Sequence, residues 1–179
     1  MPKEIEIKVE LTKDEVPAFL EGLREMGVRE KGGPYVEKNI LFDFPDRRLT
    51  RKEQALRLRT YRRGITITFK GKPEDDERLK IREEVETRVE SFELAREILR
   101  RLGLEPVFEY VKERQIWIWD TGESLLEISL DFTPAGIFVE LEGPPALIEQ
   151  MAGRLDWTSR PWLRKSYPQI YRERGVGLL

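Results

Sequence analysis

The chain contains no cysteine and no histidine. The first absence removes disulfides, thiolate nucleophiles and zinc–thiolate sites, and the second removes the usual general base and the commonest nitrogen ligand for metals. Any chemistry must therefore run on carboxylates, Lys, Arg, Tyr or a hard metal ion. Long apolar runs are missing too: no segment approaches the roughly 18 residues of a membrane-spanning helix. The N-terminal stretch lacks the apolar centre of a secretion signal. The expectation is a cytoplasmic protein with no membrane partner. Neither sign of charge dominates, since 32 Lys and Arg face 34 Asp and Glu for a net of −2, which disfavours nucleic acid as a partner. Two nucleotide motifs are absent as well. Gly71-Lys72 lacks the preceding glycine and following Ser or Thr of a phosphate-binding P-loop, and no G-x-G-x-x-G follows a strand.

What the chain has in excess is charge. Charged residues make up 37% of its 179 positions, against about 25% in ordinary soluble domains. They sit among regularly spaced Ile, Leu, Val and Phe instead of in blocks, so the composition is that of a folded chain, not a disordered one. This length buries one good core, and residues 1–179 read as a single domain.

The charges are also ordered. Glu4-Ile5-Glu6-Ile7-Lys8-Val9-Glu10-Leu11 alternates ionisable with aliphatic residues, which on a strand gives one charged and one apolar face. Similar patterning predicts strands near 3–11, 37–43, 54–61, 64–71, 79–90, 107–119, 124–132 and 137–143. The turns Arg63-Gly64 and Thr121-Gly122 join successive pairs. Helices are expected after the capping box Thr12-Lys13-Asp14-Glu15, with Gly27 as the stop, after Ser91, and after Pro144-Pro145. The second of these sets Phe92, Ala95, Ile98, Leu99 and Leu102 on one face.

Any single polar strand face is explained by the wet side of an antiparallel sheet. The set is different, because three amphipathic helices need an apolar surface and the strands' apolar faces supply it. With helices outside, the charged faces turn inward and the sheet can close. The expected fold is α+β, a closed eight-stranded antiparallel β-barrel with a charged lumen and helices packed on its outside. Such a lumen must be hydrated and matched to a polyvalent ligand, since isolated buried charges are strongly unfavourable. A triphosphate with divalent metal ions answers both signs, phosphate oxygens to Lys and Arg and hard cations to carboxylates.

Glu4-Ile5-Glu6-Ile7-Lys8 matches the ExExK signature of the CYTH superfamily, the triphosphate tunnel metalloenzymes, and the chain resembles that superfamily over nearly its whole length. The resemblance continues in order through Ala55-Leu56-Arg57-Leu58-Arg59, Thr68-Phe69-Lys70-Gly71, Arg82-Glu83-Glu84-Val85-Glu86, Lys112-Glu113-Arg114, Ser129-Leu130-Asp131, Phe138-Val139-Glu140-Leu141-Glu142 and Lys165-Ser166-Tyr167. The branch most similar is that of the class IV adenylate cyclases and the related thiamine triphosphatases. The resemblance implies that Lys8, Arg57, Arg59, Lys70, Arg82, Lys112, Arg114 and Lys165 bind the triphosphate. It implies that Glu4, Glu6, Asp131, Glu140 and Glu142 bind Mg²⁺ or Mn²⁺, and that Glu6, Lys8, Arg59, Lys112 and Arg114 act in catalysis. Glu84 and Glu86 serve equally well as carboxylates that hold neighbouring cations straight. One departure stands out: many relatives carry Asp-x-Tyr-Phe where this chain has Asn39-Ile40-Leu41-Phe42.

The implied activity is conversion of ATP to cyclic AMP and pyrophosphate. Hydrolysis of thiamine triphosphate, a nucleoside triphosphate or inorganic tripolyphosphate is the alternative, and a non-catalytic module binding polyphosphate or nucleotide is a further one. A cyclase needs a base pocket at one mouth, for which Phe42, Phe44 and Tyr61 are candidates. A monomer and a homodimer are both compatible with the sequence.

Overall fold

The computed structural model describes residues 3–62 and 64–176. Eight strands, β1 (Lys3–Leu11), β2 (Arg29–Asp43), β3 (Ala55–Tyr61), β4 (Gly64–Lys70), β5 (Lys80–Val89), β6 (Glu105–Asp120), β7 (Leu125–Thr133) and β8 (Gly136–Glu142), form a closed barrel. Its order is β1-β5-β4-β3-β2-β6-β7-β8, with every neighbouring pair antiparallel. The expected architecture is the one observed.

Register explains why the charges converge. Residues paired across an antiparallel ladder share a face. Glu6 lies opposite both Lys80 and Glu142, and Lys8 opposite Glu140; Arg59 lies opposite Asn39 and Thr66, and Arg114 opposite Asp131 and Tyr35. Once the barrel closes, these partners form rings inside it. The intervening aliphatics then have only the outside on which to pack.

That outer surface is covered in patches. α1 (Val16–Glu25) and α4 (Pro145–Arg154) bury Phe19, Leu23, Ile148 and Met151 against Ile7, Val9, Ile128, Leu130, Val139 and Leu141. The Thr12–Glu15 capping box is present, with a short 3₁₀ turn ahead of α1 that lets Pro17 fall in the first helical turn, where no backbone N–H is needed. α3 (Phe92–Arg101) sets Ala95 and Leu99 against Phe42 and Leu58 on the far side of the barrel. α5 (Tyr167–Glu173) plugs one end of the barrel, packing Tyr167, Ile170 and Tyr171 with Phe108, Tyr110 and Phe138.

The structure differs from expectation at identifiable places. β2 begins at Arg29, well before residue 37, because register shifts between Glu30 and Gly32 and between Gly32 and Tyr35 interrupt its alternation. α5 and the single turn α2 (Arg48–Arg51) were not expected. On α3, Ile98 and Leu102 are exposed instead of facing the core. Of the expected Arg63-Gly64 turn, Arg63 lies outside the described residues, while Gly64 opens β4 with the positive φ that favours glycine. Among the described residues no helix is long and apolar enough to cross a membrane.

Candidate active site

The bore is a cavity of about 720 Å³ bordered by Glu4, Glu6, Lys8, Arg57, Arg59, Lys70, Arg82, Lys112, Arg114, Glu140, Glu142 and Lys165. Every residue expected to bind triphosphate or metal thus borders one space, except Asp131. These residues fall into zones that differ in how fully their charges are answered.

One wall, from β6, β7, β8 and β1, is a closed ionic network. Asp131 is fully buried and accepts a two-pronged contact from Arg114, 2.6 Å at each oxygen, and a 3.0 Å bond from Lys112. The Tyr167 hydroxyl on α5 also donates to it. Arg114 reaches on to Glu140, which pairs with Lys8 at 3.0 Å. Lys8 in turn donates to the Lys165 carbonyl at 3.1 Å, and both Lys8 and Lys112 stand 4.5 Å from the Tyr167 ring centre. Burial opposes charge on Glu140, but Lys8 and Arg114 outweigh it and hold the carboxyl well below the ordinary range. For Lys8, burial is likewise outweighed by Glu140 and Glu6, so its ammonium is held above the ordinary value. Asp131, with four hydrogen bonds from three residues on its two oxygens, positions the cations.

The wall from β2, β3, β4 and β5 is looser. Arg59 pairs with Glu86 at 3.0 Å and Glu37 at 3.5 Å, and Lys70 lies 2.6 Å from both Glu4 and Glu84. Arg57 reaches Glu86 only at 3.8 Å, and its buried Nε has no hydrogen-bond partner. Arg82 has a different occupation. Its guanidinium donates to the carbonyls of Gly71, Lys70 and Glu53, tying the chain after β4 to β5. Lys165 pairs with Glu173 at 2.7 Å at the plugged end.

The third zone is acidic. Glu4 and Glu6 on β1, Glu127 on β7 and Glu142 on β8 approach one another near the open end. Glu6 is answered by Lys80 at 2.5 Å and Glu127 by Lys31 at 2.8 Å. Glu4 gives one oxygen to Lys70 and meets the Glu84 carboxyl, and its other oxygen is buried with no donor hydrogen-bonded to it. Burial, together with the charges of Glu4, Glu6 and Glu127, pushes the Glu142 carboxyl up to about 8. Glu142 remains accessible to water in the bore. Among the described residues no three carboxylates stand close enough to grip an ion as they are. The unanswered oxygen of Glu4 and the proton held by Glu142 nevertheless mark an excess of negative charge that a divalent cation would fit.

Aromatic residues complete the open mouth. Tyr35 and Tyr61 line it with ring centres 6.3 Å apart, and the Arg59 guanidinium lies 5.0 Å from the Tyr61 ring centre. Of the expected base-pocket candidates, only Tyr61 faces the bore. Phe42 and Phe44 pack outside under α3. Sequence reasoning missed Glu37, Tyr35 and Tyr167 as members of the site. Glu37 and Tyr35 fall within or beside the irregular part of β2, whereas Tyr167 arrives from a helix the sequence did not reveal.

A family model described as CYTH domain matches residues 2–153. A Methanocaldococcus jannaschii protein carrying a provisional adenylate cyclase name is 32% identical over 139 residues, 78% of this chain and 75% of that one. Among solved structures, a Pyrococcus horikoshii protein is 26% identical with a TM-score of 0.76, covering 96% of this chain and 99% of that chain. A Hippeastrum protein, described as an adenylyl cyclase candidate with a dominant triphosphatase activity, shares the fold at 18% identity and a TM-score of 0.72, covering 99% of this chain and 98% of that chain.

Proposed function

The chain belongs to the CYTH domain family of triphosphate tunnel proteins, and from that membership and the charges of the bore we propose that it is a divalent-metal-dependent enzyme converting ATP to cyclic AMP and pyrophosphate. The observation that carries this proposal is the sharing of one cavity by an Arg and Lys wall, an under-neutralised acidic cluster and an aromatic mouth. Inorganic tripolyphosphate has use for the first two only. A nucleoside triphosphate has use for all three.

Arg57, Arg59 and Lys112 grip the phosphates, the planar forks in paired contacts and the ammonium as a point charge. Arg57 offers a buried N–H that is otherwise unanswered. Arg114 and Lys8, held in place by Asp131 and Glu140, supply fixed positive charge beside the chain of phosphates. Glu4, Glu6 and Glu142, with Glu140 behind them, are the residues that would hold Mg²⁺ or Mn²⁺. Such an ion, when bound, neutralises phosphate oxygens and acidifies a hydroxyl. The base stacks at Tyr61 and Tyr35, which orients the ribose. The ribose 3′ oxygen bonds to the α-phosphorus as the bond from that phosphorus to the bridging oxygen breaks. Pyrophosphate leaves into the Arg57, Arg59 and Lys112 wall, and the hydroxyl proton passes to water in the bore. Leu41 borders the cavity where many relatives carry Tyr, so the chain lacks a hydroxyl there with which to hold a reacting water, and this favours the ribose as nucleophile.

Purified protein given ATP, thiamine triphosphate or tripolyphosphate with Mg²⁺ or Mn²⁺ tests this directly. Cyclic AMP and pyrophosphate from ATP are expected. Inorganic phosphate without cyclic AMP would make the protein a triphosphatase instead, and no turnover of any of the three would overturn the enzymatic proposal.

A further inference from the structure

α3 carries a surface that the bore does not use. Leu94, Ile98 and Leu102 are 67%, 60% and 65% exposed, while Ala95 and Leu99 on the adjoining face are buried against the barrel. A spacing of four residues aligns the three exposed side chains in one stripe along the helix. Its order is symmetric, a leucine on either side of a central isoleucine. If a second helix of the same sequence lies antiparallel across it, Ile98 meets Ile98 at a two-fold axis and each Leu94 meets a Leu102.

The charges select the same arrangement. Glu93 lies in the first turn of α3, and Arg100 and Arg101 lie in the last. An antiparallel pairing sets each acidic end beside a basic one, whereas a parallel pairing sets like ends together. Glu97, which takes Arg100 at 2.7 Å and Arg101 at 2.8 Å, flanks the stripe and can share those cations with a second copy. A membrane surface fits less well, because helices that lie on lipid carry polar faces rich in Lys and Arg, without this balance of signs.

We propose that two copies of the chain associate through α3 as an isologous, antiparallel helix pair centred on Ile98. One face of a ten-residue helix with three exposed apolar side chains is smaller than the roughly 1,200–2,000 Å² of stable interfaces, so the dimer is weak and dissociates on dilution.

Sedimentation of the full chain over a concentration series tests this. A monomer–dimer equilibrium is expected for the natural sequence, and Ile98→Glu, which sets two carboxylates against each other at the axis, should weaken it by about 100-fold. Because Ile98 is exposed and remote from the bore, the far-ultraviolet spectrum and the turnover of triphosphate should not change. The chain has no cysteine of its own, which permits a second probe. Under mild oxidation Ile98→Cys should form a disulfide-linked dimer much faster than Leu125→Cys, a control at another exposed site (55%). A natural chain that stays monomeric throughout, an Ile98→Glu dimer of undiminished affinity, or equal cross-linking at the two cysteines would each overturn the proposal. A chain that is monomeric alone yet captured by an unrelated protein counts against it too.

Discussion

Two zones of the bore, built largely from the same strands, handle charge in opposite ways. In the network of Lys8, Lys112, Arg114, Asp131, Glu140 and Tyr167, the ions answer one another and the bonds are short. At the acidic end, Glu4 keeps a buried oxygen with no donor bonded to it and Glu142 retains its proton far above the ordinary carboxylate range. Charge balanced within the protein serves as scaffold, because removing one member strands the rest. Charge left unbalanced is a stored demand for a ligand. Under the proposed function, the first region would set where phosphate sits, and the second which ion accompanies it.

The contrast should be widest in stability. Asp131→Ala leaves Arg114 and Lys112 buried without their shared counter-ion and should cost about 3–5 kcal/mol of folding free energy, measured as a fall in the denaturant midpoint. Glu142→Ala relieves repulsion and should leave that midpoint unchanged or higher. Equal losses in the two variants would erase the distinction. For turnover the ranking involves the looser wall: Arg57→Ala should lower kcat/KM by about 100-fold or more, the usual penalty for losing a donor aimed at developing charge, while the fold persists.

The acidic end also predicts a direction with pH. In the unfolded chain the Glu142 carboxyl has its ordinary value of 4.5, and in the fold it is pushed to about 8. Between those values the folded state holds more protons than the unfolded one, so stability falls as pH rises through that window. Metal-free protein should show this decline in its melting temperature, Glu142→Gln should flatten it, and Mn²⁺ should reverse it. A melting temperature that rises steadily with pH in both proteins would contradict the assignment. The smallest effect belongs to the mouth. Tyr61→Ala should weaken ATP by roughly tenfold, the scale of one lost stacking contact, and leave tripolyphosphate binding unaltered.

Much of this was legible because strict alternation has few solutions. Once Glu6, Arg59 and Lys112 are known to share faces with other ions, and the aliphatics between them need cover, a sheet with one ionic face and external helices follows from the period, and the resemblance to the tunnel family supplies its closure. The failures are equally physical. Gly32, Gly33 and the register shifts beside them break the period of β2, hiding its first half and Tyr35 with it. α5 is short and reveals itself only through a Ser166–Gln169 capping box, so the hydroxyl that Tyr167 brings to Asp131 was invisible. On α3 the sequence reads Phe92, Ala95, Ile98, Leu99 and Leu102 as one apolar face, but the barrel covers only the part carrying Ala95 and Leu99 and leaves Ile98 and Leu102 exposed. The sequence also offered no sign that Arg82 would spend its donors on carbonyls.

On the proposed function, the ionic strand faces enclose a metal-assisted triphosphate site. A crystal soaked with a non-hydrolysable ATP analogue and Mn²⁺ tests it most directly. Anomalous manganese signal among Glu4, Glu6 and Glu142, phosphates against Arg57, Arg59 and Lys112, and the base at Tyr61 are expected. Phosphates bound outside the barrel, or manganese absent from the acidic end while nucleotide fills the bore, would contradict it.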